Sequence, residues 1–361
     1  MQREITAWQF YILTFGLTVG TSILVTPAGL AHSAREDAWI ASLCSILFNL
    51  LMVVLYLALS RLYPGKTIFG MLESGFGKWL GKAVAMLYLF YFLILTGTLL
   101  GNLGFFITSE MMTETPIEAI QILFLIAAAM CVRLGIVILA RMGELMFPLV
   151  VSLFLILVLA LLPQIDWDYI RPMLEDGWTP VMKAGFHSAM FQELVVLLTV
   201  LPLVKRGPAV DRAYLGGAMT GGAVLAIVVL LSVLIMGIEQ TENSSFPAFA
   251  LAKMINVGNF FQRVEGIFIT IWVLTFFIKI SLLIISLLWG LQAVFGLKGH
   301  LPLVYPVMVL IIIVAWNTYI NTVYINEIIA KVWSGFSMLY LLFFPLCLYA
   351  VGLVKKSFSH K

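Results

Sequence analysis

The sequence predicts an all-α polytopic membrane protein of ten transmembrane helices, arranged as an inverted repeat of five plus five with helices one and six broken. Three observations carry that reading. The 361 residues are 62% hydrophobic and 11% charged, with a mean hydropathy of +1.07, too apolar for water and too poor in charge for disorder. The apolar residues divide into ten stretches, each near the roughly 20 residues that cross a hydrocarbon core about 30 Å thick. The first and sixth stretches are interrupted by small polar residues. Backbone freed from a helix inside a bilayer must find partners in protein, water or ligand, so such spans line cavities.

Taken in order, the first span, 7–31, carries Gly16, Gly20-Thr21-Ser22 and Pro27 and is expected to break near its middle. Only Arg3 precedes it as a basic residue, no small-residue cleavage site follows, and it exceeds a signal-peptide core, so it is expected to remain in the mature protein. Spans two to five, at 39–60, 83–108, 117–140 and 145–162, follow from hydropathy. Span six, 180–204, carries the second interruption at Gly185-Phe186-His187-Ser188. Spans seven to ten lie at 213–238, 264–291, 302–320 and 329–352. An odd number of spans per half turns the second half over, making spans one and six counterparts. The chain, 1–361, reads as a single integral membrane domain with repeats at about 7–162 and 180–352.

The outside loops 163–179 and 239–263 are too short for a hydrolytic domain with its own core. In the second, Phe246, Phe249, Leu251, Met254, Ile255 and Phe260 recur at roughly helical spacing, which predicts a lid or packing helix over the outer vestibule.

Loop charge sets the expected orientation. With both termini inside, the cytoplasmic segments hold Arg3, Arg61, Lys66, Lys78, Lys82, Arg133, Arg141, Lys205, Arg206, Arg212, Lys298, Lys355, Lys356 and Lys361, 14 of the 21 Lys and Arg. The opposite face holds Arg35, Arg171, Lys183, Lys253, Arg263 and Lys331, with most of the acids. This is the positive-inside pattern, so the N- and C-termini are expected inside. The formal charge of +3 reflects that topology and gives no reason to expect nucleic acid.

Packing accounts for several motifs. Gly75-Phe76-Gly77-Lys78-Trp79-Leu80-Gly81 has no preceding strand and no Walker lysine-serine pair, so it is not a nucleotide loop. Gly216, Gly217, Gly221 and Gly222 give span seven a small-x-x-x-small face suited to close helix contact. Cys44, Cys131 and Cys347 lie within spans at no metal-ligand spacing, so no disulfide, metal or cofactor is expected. Trp8, Trp39, Trp79, Trp289 and Trp333 lie near span ends and read as interface belts, and Arg133 can snorkel from the inner end of span four.

The ionisable residues within spans are sharper signals. Glu193 falls near the midpoint of span six and Lys279 near that of span eight. Insertion scales put an isolated Asp, Lys or Arg at such depth at roughly 2.5 to 3.5 kcal/mol, so these charges should face a cavity, pair or change protonation. Trp272, Thr275, Lys279 and Ser286 share one helix face. That face either lines a cavity or packs its lysine against backbone carbonyls. His187, beside the expected break, is either a hydrogen-bonded core histidine or a proton carrier.

Several segments also carry a family resemblance. They are Ile5-Thr6-Ala7-Trp8-Gln9, Gly20-Thr21-Ser22-Ile23-Leu24 with Pro27, Tyr63-Pro64-Gly65-Lys66-Thr67, and Gly77-Lys78-Trp79-Leu80-Gly81-Lys82. To these add Arg141, Glu144 and Phe147-Pro148, Arg171-Pro172 with Gly177-Trp178-Thr179-Pro180, Phe246-Pro247, and Arg263-Val264-Glu265-Gly266-Ile267-Phe268 before Trp272. In this order, over essentially the whole chain, they resemble the bacterial endospore germination permeases. These are the B subunits of GerA-type germinant receptors, a branch of the amino acid-polyamine-organocation superfamily.

The resemblance implies a LeuT-like fold whose spans one, three, six and eight surround a small-molecule site in the inner membrane of the spore. On this sequence it implies ligand binding by Gly20, Thr21 and Ser22, by Gly185 and His187 near the second break, by Thr98 with its neighbours Thr96, Gly97 and Gly101, and by Thr275. Glu193 and Lys279 would serve charge or proton coupling, and the fold would bring them close enough to pair. Lys279 on span eight, where sodium-coupled relatives place ion-binding hydroxyls, weighs against sodium dependence.

The function so implied is binding of a small nutrient germinant, commonly an amino acid, and signalling to an A-type membrane subunit and a C-type lipoprotein subunit. The alternative is a proton-coupled amino acid permease in which Glu193 or Lys279 titrates during alternating access. An enzyme is not expected, since no His/Glu pair has metal-ligand spacing and His187-Ser188 lacks a third orienting partner.

Overall fold

Continuous apolar sequence forms long helices here because a backbone in hydrocarbon has few other ways to satisfy its polar groups. The computed structural model describes residues 4–205, 207–255, 265–318 and 330–359. Arg3, Arg206, Phe260, Arg263 and Lys361, read above for charge or packing, lie outside them. Span one is split into α1 (Ala7–Val19) and α2 (Ser22–Ala34). Span two is α3 (Ala38–Leu62), followed by a short α4 (Ile68–Phe76) and then span three, α5 (Lys78–Glu110). Spans four and five are α6 (Ile117–Leu134) and α7 (Ile136–Leu161). Span six is α8 (Trp178–Ala189) followed by 3₁₀ turns at Leu194–Thr199 and Leu201–Leu203.

Span seven is α9 (Pro208–Asn243), then come a short α10 (Pro247–Lys253), span eight as α11 (Glu265–Phe295) and span nine as α12 (Val304–Thr318). The last span, α13, is Ala330–Met338 carried through a π-helical turn at Leu339–Phe343 into Phe344–Ser359. Among the described residues nine helical segments are long and apolar enough to cross a membrane. One of them, Ser22–Leu62, joins the second half of span one to span two, and the short α1 completes a tenth crossing. The helices α4 and α10 occupy equivalent places, each between the second and third spans of its half, as an inverted repeat requires.

Two boundaries differ from the hydropathy reading. Spans four and five divide at Gly135, whose φ of +93° suits glycine and ends α6, so Arg141 and Glu144 fall inside α7. The expected outer helix is shorter, with α10 burying Phe249 and Leu251.

Glycine sets the close contact between α1 and α9. A Cβ on Gly217 would lie 2.6 Å from the Thr14 Cβ, and one on Gly221 would lie 2.7 Å from the Thr18 Cβ. Thr14 and Thr18 meanwhile turn their hydroxyls back to the carbonyls of Phe10 and Thr14. The expected small-residue face is thus the α1–α9 contact.

Span ten shows how a proline inside a span is tolerated. Pro345 has no N–H, so the carbonyls four and five residues before it, Leu341 and Tyr340, lose their α- and π-helical donors. The π pattern is present immediately before, where the Phe344 N–H donates to the Leu339 carbonyl. Two fully buried tyrosines replace the missing donor: Tyr56 of α3 donates to the Leu341 carbonyl at 2.6 Å, and Tyr88 of α5 to the Tyr340 carbonyl at 2.7 Å. Tyr56→Phe or Tyr88→Phe should each cost about 1–3 kcal/mol, the penalty of an unsatisfied buried acceptor. In a Pro345→Ala background, which restores the N–H, the cost should shrink. A double-mutant cycle by denaturant unfolding in detergent checks this, and strict additivity would contradict it.

Candidate functional site

The first break centres on Gly20. The Gly20 N–H still bonds the Gly16 carbonyl at 2.9 Å, but its backbone leaves the helix at φ 14°, ψ −118°. A Cβ there would lie 2.6 Å from the Lys279 Cδ, so the lysine stem crosses span one where span one has no side chain. The helix restarts as α2 with no side-chain cap, leaving the buried Thr21 hydroxyl without a protein partner. Ser22 turns its hydroxyl to the Phe191 carbonyl in span six, 3.2 Å away.

The second break does not open at Gly185. α8 runs through it to Ala189, because the missing side chain admits α3: a Cβ on Gly185 would lie 2.7 Å from both the Ala41 carbonyl oxygen and the Cys44 Cβ. Ser188 continues that packed face toward Ser45, with the two hydroxyls 3.3 Å apart. The helix opens instead at 190–193, where Glu193 takes a left-handed conformation at φ 42°, ψ 38° before the 3₁₀ turn. That backbone costs a residue other than glycine about 1–3 kcal/mol and persists only where surrounding contacts fix it.

Those contacts come from span eight. Lys279 Nζ lies 2.7 Å from Glu193 Oε2, with 1% and 2% of the two side chains exposed. The ammonium also donates to the Phe191 carbonyl at 3.3 Å. Phe191 thus accepts from both Ser22 and Lys279, tying the two breaks and span eight into one node. The pairing expected from the sequence is present.

A cavity of about 510 Å³ rises from this node. Phe191, Glu193 and Lys279 lie at its base, and Thr21, Thr98 and Asn102 line its wall. Leu95, Leu99 and Phe105 supply apolar surface. Its rim lies where α2 and α9 end. There His32 Nδ1 is 2.8 Å from Glu242 Oε1. Lys253 of α10 reaches Glu110 at the end of α5, at 2.7 Å.

On the opposite side, contacts among the described residues join spans one, five and six. The Ile5 N–H donates to the Leu203 carbonyl at 3.0 Å, and the Lys205 N–H donates to the Ile5 carbonyl at 3.1 Å, bridging the start of span one to the end of span six. Gln9 donates to Glu144 of α7 at 2.9 Å, and Trp8, Tyr11 and Phe15 pack edge-on against Phe147.

Of the residues singled out by sequence, Thr21, Ser22, Thr98, His187, Glu193 and Lys279 line the cavity. Three others take different places. Gly20 faces the lysine stem, Gly185 faces α3, and the Thr275 hydroxyl is spent within its own helix on the Ile271 and Trp272 carbonyls, each at 3.0 Å. Thr96 likewise bonds the Phe92 carbonyl, and Gly97 packs against Val314 of α12. Trp272 is buried among Phe106 and Phe276.

Sequence reasoning missed Asn102, one helical turn beyond Thr98, and the shared acceptor Phe191. It also placed Trp333 in an interface belt, whereas the side chain is 8% exposed, packs beside Tyr91 and lines the cavity. The Thr98–Asn102 spacing was the available signal; for Trp333 there was none.

Glu193→Gln or Lys279→Met alone leaves one buried charge unpaired and should cost about 3–5 kcal/mol. The double variant should recover much of the folded yield. Monodisperse protein recovered in detergent measures both, and single variants matching wild type would show that the pair is dispensable to the fold.

Comparison with known proteins places this geometry. The family model described as "Spore germination protein" matches residues 4–323. Spore germination protein KB of Bacillus subtilis (strain 168) is 27% identical over 369 residues, covering 100% of this chain and 97% of its own. Spore germination protein YndE of the same organism is 23% identical over 313 residues, covering 84% and 86%. Among solved structures, MHP1, a nucleobase-cation-symport-1 family transporter in a closed conformation with bromovinylhydantoin bound, superposes with a TM-score of 0.69 at 14% identity, covering 96% of this chain and 82% of that one. MhsT in complex with L-phenylalanine gives a TM-score of 0.67 at 14% identity, covering 96% and 97%. These structures establish the fold, a LeuT-like transporter architecture, while the sequence matches run through both broken spans: the chain belongs to the spore germination protein family.

Proposed function

We propose that this protein is the membrane-embedded ligand-binding subunit of a spore germinant receptor, taking a small nutrient, an amino acid by preference, into the cavity between spans one, three, six and eight. One observation carries the reading: a cavity of about 510 Å³ meets both helix breaks at the depth of a buried ion pair. That volume lies within the range of small-molecule sites, roughly 300–1,000 Å³. The uncapped first turn of α2 opens into it, offering backbone N–H groups and the positive end of the helix dipole to a carboxylate. The unpartnered hydroxyls of Thr21 and Thr98 are free to bond ligand or water.

A ligand that binds one arrangement of the broken spans better than another shifts the population toward it. The altered surface would then be passed to A-type and C-type partner subunits, in the inner membrane of the spore with both termini inside. The reading includes no enzymatic step. A clean deletion strain tests it: loss of response to at least one nutrient germinant, restored by the wild-type gene, is the expected result. Normal germination with every nutrient would reject it.

The buried pair favours a second reading, a proton-coupled amino acid permease. Glu193 or Lys279 would then exchange a proton as the cavity changes sides. Uptake of labelled amino acids into proteoliposomes separates the two. Ligand binding without flux under any pH gradient is the outcome expected of a receptor, and gradient-driven accumulation is that expected of a permease.

A further inference from the structure

Each acid lining the cavity, among the described residues, has a base beside it. Glu193 at the base has Lys279 at 2.7 Å, and Glu242 at the rim has His32 at 2.8 Å. The rim pair sits in water, with side-chain exposures of 77% for His32 and 31% for Glu242, and is screened there. The inner pair is sealed from solvent. His187 is the remaining ionisable lining residue, and the wall between base and rim is hydroxyl, amide and apolar surface.

Two opposite charges this close form a compact dipole whose field falls away quickly across the cavity. An amino acid's own carboxylate and ammonium can be met by the start of α2 and by backbone carbonyls. A further charge on its side chain would lose its hydration, and the carboxylates and the ammonium among the described lining residues are already paired. Lys279 is already engaged by Glu193, and Glu193 by Lys279.

We infer that the Glu193–Lys279 pair acts as a charge filter, restricting the cavity to ligands of zero net charge, and that unbalancing the pair changes the class of ligand accepted. This rests on the ligand-binding reading above and adds the selectivity and its source. Removing the ammonium leaves the Glu193 carboxyl at the base without its counter-charge, and a ligand with a cationic side chain can take that place. An acid introduced at Thr98, on the cavity wall and apart from the pair, should do the same.

The test is equilibrium binding to the full chain in lipid nanodiscs with L-alanine, L-valine, L-phenylalanine, L-glutamate and L-lysine as radiolabelled probes. Wild type should bind at least one neutral probe and take glutamate and lysine at least about tenfold more weakly. Lys279→Gln and Thr98→Asp should each gain about tenfold in lysine binding and gain nothing for glutamate. Thr98→Asp leaves the ion pair in place, which keeps the test open if Lys279→Gln does not fold. Wild-type binding of glutamate or lysine as tight as that of the neutral probes would overturn the filter, as would a folded variant that gains no lysine binding. Absence of binding by every probe would instead reject the cavity as an amino acid site, and the filter with it.

Discussion

A carboxylate and an ammonium, shut away from water in the middle of the molecule, fix the geometry around which the rest is arranged. Glu193 and Lys279 each carry a desolvation cost of several kcal/mol, offset only when the partner is close and further hydrogen bonds are made. Their contact therefore imposes conditions on everything nearby. Gly20 has to be bare so that the lysine stem can pass. Glu193 has to adopt a left-handed backbone so that its carboxylate can turn to span eight. The Phe191 carbonyl, freed by the break in span six, becomes the acceptor shared by Ser22 and Lys279. Breaking both helices and burying both charges are two aspects of one solution.

The same constraint separates the two sides of the molecule. Toward the start of α1, the bridge at Ile5, the Gln9–Glu144 bond and the rings around Phe147 close the gap between spans one, five and six. Toward the end of α2 the exposed His32–Glu242 contact spans the rim. The proposed ligand would thus enter from the His32 side and reach the node from above. Any preference it has between arrangements of α2 and the 190–193 stretch would be felt by the whole of spans one and six.

The spans were legible in the sequence because hydrocarbon forces continuous apolar runs into helices, leaving length and hydropathy to locate them. The first break was legible too, since Gly20-Thr21-Ser22 puts a glycine and two hydroxyl residues together inside an apolar span, and the helix breaks at that glycine. The second was displaced by several residues. Gly185 and Ser188 are small because α3 approaches them, and small residues look alike whether they open a helix or let a neighbour in. Thr275 shared a stripe with Lys279 but had a carbonyl of its own helix within reach, a choice that spacing does not reveal. Trp333 resembled a belt residue by its position near a span end, and only the packing of α13 against Tyr91 shows it turned inward. Residues fixed by one-dimensional rules were readable. Those fixed by which neighbour arrives were not.

The space above the ion pair, on the proposed function, is a ligand site reached from water. Thr98, whose hydroxyl faces that space without a protein partner, offers a direct probe. With Cys44, Cys131 and Cys347 replaced, Thr98→Cys in proteoliposomes can be treated with a membrane-impermeant thiol reagent in the presence and absence of amino acids. Modification from the side where α2 ends, slowed by at least one amino acid, is the expected result. A thiol that stays inert from that side, or reacts at one rate whatever amino acid is present, would contradict it.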